Sequence, residues 1–159
     1  MANIKSVIDE CLTIAEAFTS INSQTYNELG AINFEDNNKT FPHFLFDKRS
    51  INVAVDSYTN NSLPNKSKLT ADIYFHNTYT ELEKETINLQ TKEAALITIA
   101  NQFIAELKSR NKSSNTNFIL EVATYKPLDE THNEQLIQIA YTLEFTMFTD
   151  DCTLGTFNY

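Results

Sequence analysis

The sequence predicts an α+β fold. A single domain over residues 1–159 would carry a mostly antiparallel, four- to five-stranded sheet with two helices on one face, in the order α-β-β-α-β-β. Three observations lead there. Two segments repeat apolar residues at the 3.6-residue period, several shorter ones alternate apolar with polar, and the strand-like segments outnumber the helical ones. Each helical pattern is apolar along one stripe only, so both helices need a surface to cover, and one face of a shared sheet supplies it.

The first helix is expected over about residues 3–21, where Ile4, Val7, Ile8, Cys11, Leu12, Ala15 and Phe18 follow a 3-4 spacing. Asn3 is placed to cap it, and Asp9 and Glu10 fall in its N-terminal half. The stretch NSQTYNELGAINFEDNNKT has no sustained period and reads as a long connection, with a short extended piece at Ile32 to Glu35. Two short apolar runs follow, Phe41 to Phe46 and Ile51 to Val55, split by Asp47, Lys48 and Arg49. Pro42 has no N–H to donate and belongs at a strand start or on an edge. A turn is expected around Pro64. Leu69, Ala71, Ile73 and Phe75 then alternate with Thr70, Asp72, Tyr74 and His76, the pattern of a half-buried strand of about ten residues.

A capping box at Thr80 to Glu83 precedes the central helix, expected over about residues 88–110. Leu89, Glu93, Leu96, Ala100, Phe103 and Leu107 form its row, flanked by Ala94, Ile97 and Ile104; Lys108 and Arg110 suit the negative end of its dipole. A polar loop, NKSSNTN, ends it. The C-terminal hairpin is expected over about residues 118–149, followed by a tail at 150–159. Its first strand is ambiguous in facing: Phe118, Leu120 and Val122 alternate with Ile119, Glu121 and Ala123, and both sets contain apolar members. Its second strand, Leu136 to Phe148, alternates almost without fault and would extend about 40 Å, close to the whole width of a domain this size.

Composition narrows the function classes. Twelve basic residues stand against 21 acidic ones, a net charge of −9, and the cations are scattered, which argues against tight nucleic-acid binding. No run of 18 apolar residues and no secretion signal are present, so a reducing cytoplasm is the expected site of synthesis and no membrane association is expected. Cys11 and Cys152 have no C-x-x-C spacing and imply neither a disulfide framework nor a zinc site. With Gly30 and Gly155 the only glycines, neither a glycine-rich phosphate cradle nor a G-x-S-x-G nucleophile elbow can be written. His43, His76 and His132 lie in separate segments, and Asp72 and His76, four residues apart on a strand, would be about 13 Å apart. Asp150 and Asp151 beside Cys152, and the acidic alternation Glu81, Glu83, Glu85, read as solvated charge. No catalytic, cofactor or metal residues are expected; an enzyme reading would have to assemble Glu121, His76 and Asp72.

The element order, the strand entry FPHFLFD, the strand KLTADIYF, the helix LQTKEAALITIANQFIAEL and a last hairpin with Phe145 and Phe148 shortly before Cys152 together resemble the neck and tail-completion proteins of tailed bacteriophages, tail terminators and minor tail proteins among them. The resemblance implies a non-enzymatic virion protein, made in the host cytoplasm, that closes into a ring of roughly six or twelve copies at the head–tail joint. It implies further copies of the chain and portal-adjacent or tail proteins as partners, with genomic DNA passing through unbound. The acidic balance suits a channel that repels phosphate. Subunit contacts are expected at Pro42, Phe44, Phe148, Leu154, Phe157 and Tyr159. The alternative is a small cytoplasmic module that binds a protein partner by adding a strand at an open sheet edge.

Overall fold

The structure, a computed structural model, describes residues 4–28, 40–55, 65–79, 87–113, 118–126 and 136–149. It is α+β, with two helices and six strands: α1 (Ile4–Ala17), β1 (Ser23–Asn27), β2 (His43–Asp47), β3 (Asn52–Val55), β4 (Asn65–Thr78), α2 (Ile87–Ser113), β5 (Phe118–Lys126) and β6 (Leu136–Thr149). The sheet order is β1-β2-β4-β6-β5, with β3 also paired to β4. This corrects the expected mostly antiparallel sheet of four to five strands in the order α-β-β-α-β-β in three respects, the first being that four strands precede α2. The sheet has six strands, and it is mixed, because β1 runs parallel to β2.

The unexpected strand is β1, SQTYN, inside the segment read as a connection. It has no apolar alternation to announce it, since an edge strand needs only one neighbour and little core. Backbone pairing from Ser23↔His43 to Asn27↔Asp47 holds it to β2. Just before it, Asn22 donates its backbone N–H to Pro42 O and its side-chain amide to Phe41 O, while the Thr40 hydroxyl donates to Asn22 O. Pro42 does sit immediately before a strand start, after a cis peptide bond.

β2 and β3 lie on the same side of β4, with an interruption between them. Phe46 pairs with Ile73 and Asn52 with Thr70, so residues 47–51 stand opposite residues 71–72. The surplus is folded into a single 3-10 turn, Lys48–Ser50, whose N-cap Asp47 accepts from Arg49 N–H at 3.1 Å. The Ser50 hydroxyl donates to Asp47 O and accepts from Asp72 N–H, both at 2.7 Å, which satisfies a β4 donor that the interruption would strand.

Both helices pack on one face of the sheet, as expected. Val7, Ile8, Cys11, Ile14 and Ala15 from α1 join Leu96, Ala100, Phe103, Ile104 and Leu107 from α2 in a core with Phe44, Phe46, Leu69, Ala71, Ile73, Phe75, Ile137, Ile139, Leu143 and Phe145. Phe103 is the centre, with ring centroids 4.8 Å from Phe44, 5.5 Å from Phe75 and 6.4 Å from Phe18. The expected row on α2 holds at Leu96, Ala100, Phe103 and Leu107, with Ile104 of its flank also buried, whereas Glu93, Ala94 and Ile97 are exposed. α1 ends at Ala17, earlier than expected, and Ile21 returns to the core after a turn closed by Ile21 N–H to Phe18 O.

β6 is as long as the sequence predicts, and β4 is equally long. The two pair without interruption from Asn65↔Thr149 to Thr78↔Leu136, so the end near Phe148 does not project past its neighbour; Phe148 lies opposite Lys66. The β5–β6 hairpin pairing is also as expected. The mixed facing of β5 has a cause: Leu120 pairs with Phe145 and Val122 with Glu144, leaving Glu121 as a bulge that reverses the alternation. Phe118 and Leu120 are buried before it, and Val122 is exposed after it. The Asn3 cap, the piece at Ile32 to Glu35, the Pro64 turn, the capping box from Thr80, Glu81, Glu83 and Glu85, the NKSSNTN loop from residue 114, His132 and the tail lie outside the described residues.

Candidate functional site

The strands' other face carries a polar network. Asp72, on β4, accepts from Lys126 Nζ of β5 at 2.6 Å and from the Thr142 hydroxyl of β6 at 2.7 Å. Lys126 also lies 3.4 Å from the Tyr74 hydroxyl and 5.9 Å from its ring centroid. The hydrogen bond to Asp72 raises the Lys126 pKa, and burial raises that of Tyr74. Tyr74 stacks on His76 with centroids 6.0 Å apart, and His76 Nε2 meets Gln138 Oε1 at 3.1 Å. His76 pairs across strands with His43, at 6.3 Å between ring centroids. The two ring nitrogens of His43 meet the Ser23 and Thr25 hydroxyls of β1 at 2.5 and 3.0 Å. Both histidines are buried, together with Leu45, Tyr74 and Ala140.

This network fastens strands to one another. Ser23 also donates its hydroxyl proton to Thr40 O, so that proton is directed away from His43. Asp72 and His76 are both engaged with other partners, and Glu121 stands exposed on the β5 bulge beside the Val122↔Glu144 pair. Six residues of β6 separate Glu144 from Gln138, the partner of His76, on the order of 20 Å. The three groups of the enzyme reading are not brought together. Among the described residues there is no group of three metal-ligating side chains. Cys11 is fully buried in the core, which pushes its thiol pKa far up.

The surfaces that remain are the two margins of the sheet. On β5, at the margin of the sheet, Ile119 and Val122 are 40 and 43 % exposed on the helix-free face, and Tyr125, 50 % exposed, stands on the helix side with its ring 5.7 Å from that of Tyr141. Among the described residues they are half of the exposed large apolar side chains, the others being Ile4, Tyr26 and Ile97. At the opposite margin, α1 and β1 enclose a groove of about 530 Å3 lined by Asp9, Leu12, Thr13, Glu16, Gln24, Thr25 and Tyr26.

Of the residues expected at subunit contacts, Phe44 is fully buried against Phe75 and Phe103 in the chain's own core. Pro42 is half-buried before β2. Leu154, Phe157 and Tyr159 lie outside the described residues. The exposed set on β5 was missed by the sequence, although the apolar members on both of its faces were the signal. The chain matches no protein-family model, and no curated protein matches it. No helix among the described residues is long and apolar enough to cross a membrane.

Proposed function

We propose that this chain is a structural virion protein of a tailed bacteriophage that closes into a ring with further copies of itself at the head–tail joint, in a neck, tail-terminator or tail-completion role. The observation that carries the reading is the outer margin of β5. A nine-residue edge strand that presents Ile119, Val122 and Tyr125 to solvent is an aggregation liability unless another chain covers it. A β5 margin that meets a different surface of the next copy produces a ring or a filament, where β5 meeting β5 about a two-fold axis produces a dimer. The net charge of −9 suits a ring through which DNA passes without adhering. Portal-adjacent or tail proteins are then its neighbours above and below.

Electron microscopy of the purified protein and of virions tests this. Closed rings are expected, and changing Val122 and Tyr125 together to Asp is expected to abolish them while circular dichroism remains that of the wild type. A wild-type protein that stays monomeric at high concentration and is missing from every particle would overturn the proposal.

A further inference from the structure

The groove between α1 and β1 has a construction that the ring does not explain. One wall is the flank of α1, from which Asp9, Leu12, Thr13 and Glu16 project; these positions lie beside the stripe that α1 buries, Val7, Ile8, Cys11, Ile14 and Ala15. The other wall is β1, the terminal strand of the sheet, whose only strand partner among the described residues is β2. In its parallel pairing with β2, Gln24 and Tyr26 stand beside Phe44 and Phe46, on the helix side, and the Tyr26 ring lies 5.9 Å from that of Phe46. A chain laid along β1 would hydrogen-bond to its edge and send alternate side chains between Tyr26 and the α1 flank.

We infer that this groove binds an extended segment of a different protein that presents a lysine or arginine to Glu16. The sign of the charge is fixed by the walls. The lining holds two carboxylates, Asp9 and Glu16, and no cation. Asp9 is paired with Lys5 one turn earlier, whereas Glu16 is exposed and has no hydrogen-bond or ion-pair partner among the described residues. Leu12 gives the groove an apolar patch for a neighbouring aliphatic side chain, and Gln24 and Thr13 offer polar contacts at its rim. A second copy of this chain is the poorer occupant of this groove, because the lining is acidic and the chain itself has only 12 basic residues against 21 acidic ones, so a segment richer in cations than this chain fits it better. This inference stands beside the ring reading and does not rest on it.

The probe is a fluorescein-labelled peptide alternating Thr and Val with one central Arg, and its control has Glu in place of the Arg. Fluorescence anisotropy with the full chain is expected to show binding of the Arg peptide that weakens with added salt and is at least about tenfold tighter than that of the Glu peptide. Hydrogen exchange is expected to slow in residues 23–27 and 9–16 and nowhere else. Glu16→Lys should exchange the preference between the two peptides with thermal unfolding unchanged, and Tyr26→Ala, which also removes the ring packed on Phe46, should weaken both. Equal affinity for the two peptides, no binding of either, or protection of β5 in place of β1 would each overturn the inference. Rings persisting in Glu16→Lys while the peptide preference is reversed would separate this site from assembly.

Discussion

The two margins of the sheet are attached by different physics. β5 is held to the body by its inner side chains: Phe118 and Leu120 sink into the core, with Phe118 at 5.9 Å from the Phe145 ring, while Ile119, Val122 and Tyr125 of the same strand stay exposed on its two faces. β1 buries no side chain fully, and among the described residues its one aromatic contact with the core is the half-exposed Tyr26 ring 5.9 Å from Phe46. The strand is tied by backbone pairing, by the Ser23 and Thr25 hydroxyls on His43 and by the hydrogen bonds around Asn22, and its outer surroundings are acidic. One margin is suited to broad apolar contact and the other to a charged, extended partner, and the lesson is that an edge strand's mode of attachment says little about what it offers outward.

The contrast is tested most severely by Leu120→Ala, which is expected to cost about 2–5 kcal/mol in denaturant unfolding, because it empties a buried aliphatic site beside Phe145. His43→Ala is expected to cost less, about 1–3 kcal/mol, by leaving hydroxyls of β1 unmatched at a buried position. The double variant should be additive to about 0.5 kcal/mol, since β4 and β6 lie between the two strands in the sheet. Strong non-additivity would mean that the margins are coupled.

The smallest effect concerns alkaline pH and belongs to the β5 side. Lys126 has its pKa raised in the fold by the Asp72 hydrogen bond, so its contribution is complete below the ordinary lysine value, about 10.4, and is lost as pH rises through the folded value. Tyr74, raised by burial, has the same sign: the unfolded chain gives up the phenolic proton first, from about pH 10, and stability falls from there. Thermal unfolding temperature should therefore decline above about pH 10, and the combined Lys126→Met and Tyr74→Phe change should flatten that decline. A decline of undiminished slope in the double variant would place its origin elsewhere.

Much of this fold was legible in the sequence because it is written as period. The two helices, the alternation of β4 from Leu69 to Phe75 and the whole of β6 follow from apolar spacing alone. What was hidden has no period to read. β1 is made of polar residues and is recruited by a neighbour more than 15 positions downstream, through contacts such as Ser23 with His43. The α2 row was read correctly from Leu96 to Leu107 and carried one turn too far at Glu93, because periodicity gives the buried side of a helix and only its contacts decide where along it burial begins. The candidate surfaces were the least legible part. The exposure of Val122 depends on a single extra residue, Glu121, and the α1–β1 groove depends on a strand the sequence did not announce.

The end-to-end pairing of β4 with β6 has a mechanical corollary. Two uniform ladders of this length are free in principle to slide past one another, and here sliding is blocked at both steps. A slip of one residue turns Ile137, Ile139, Leu143 and Phe145 out of the helix-covered face. A slip of two keeps every side chain on its own face, but it carries Asp72 from Thr142 to either Ala140, which has no hydroxyl to give, or Glu144, a second carboxylate. Asp72, pinned on its backbone by Ser50 and on its side chain by Thr142, works as the detent of a ratchet whose long teeth would otherwise have more than one seat.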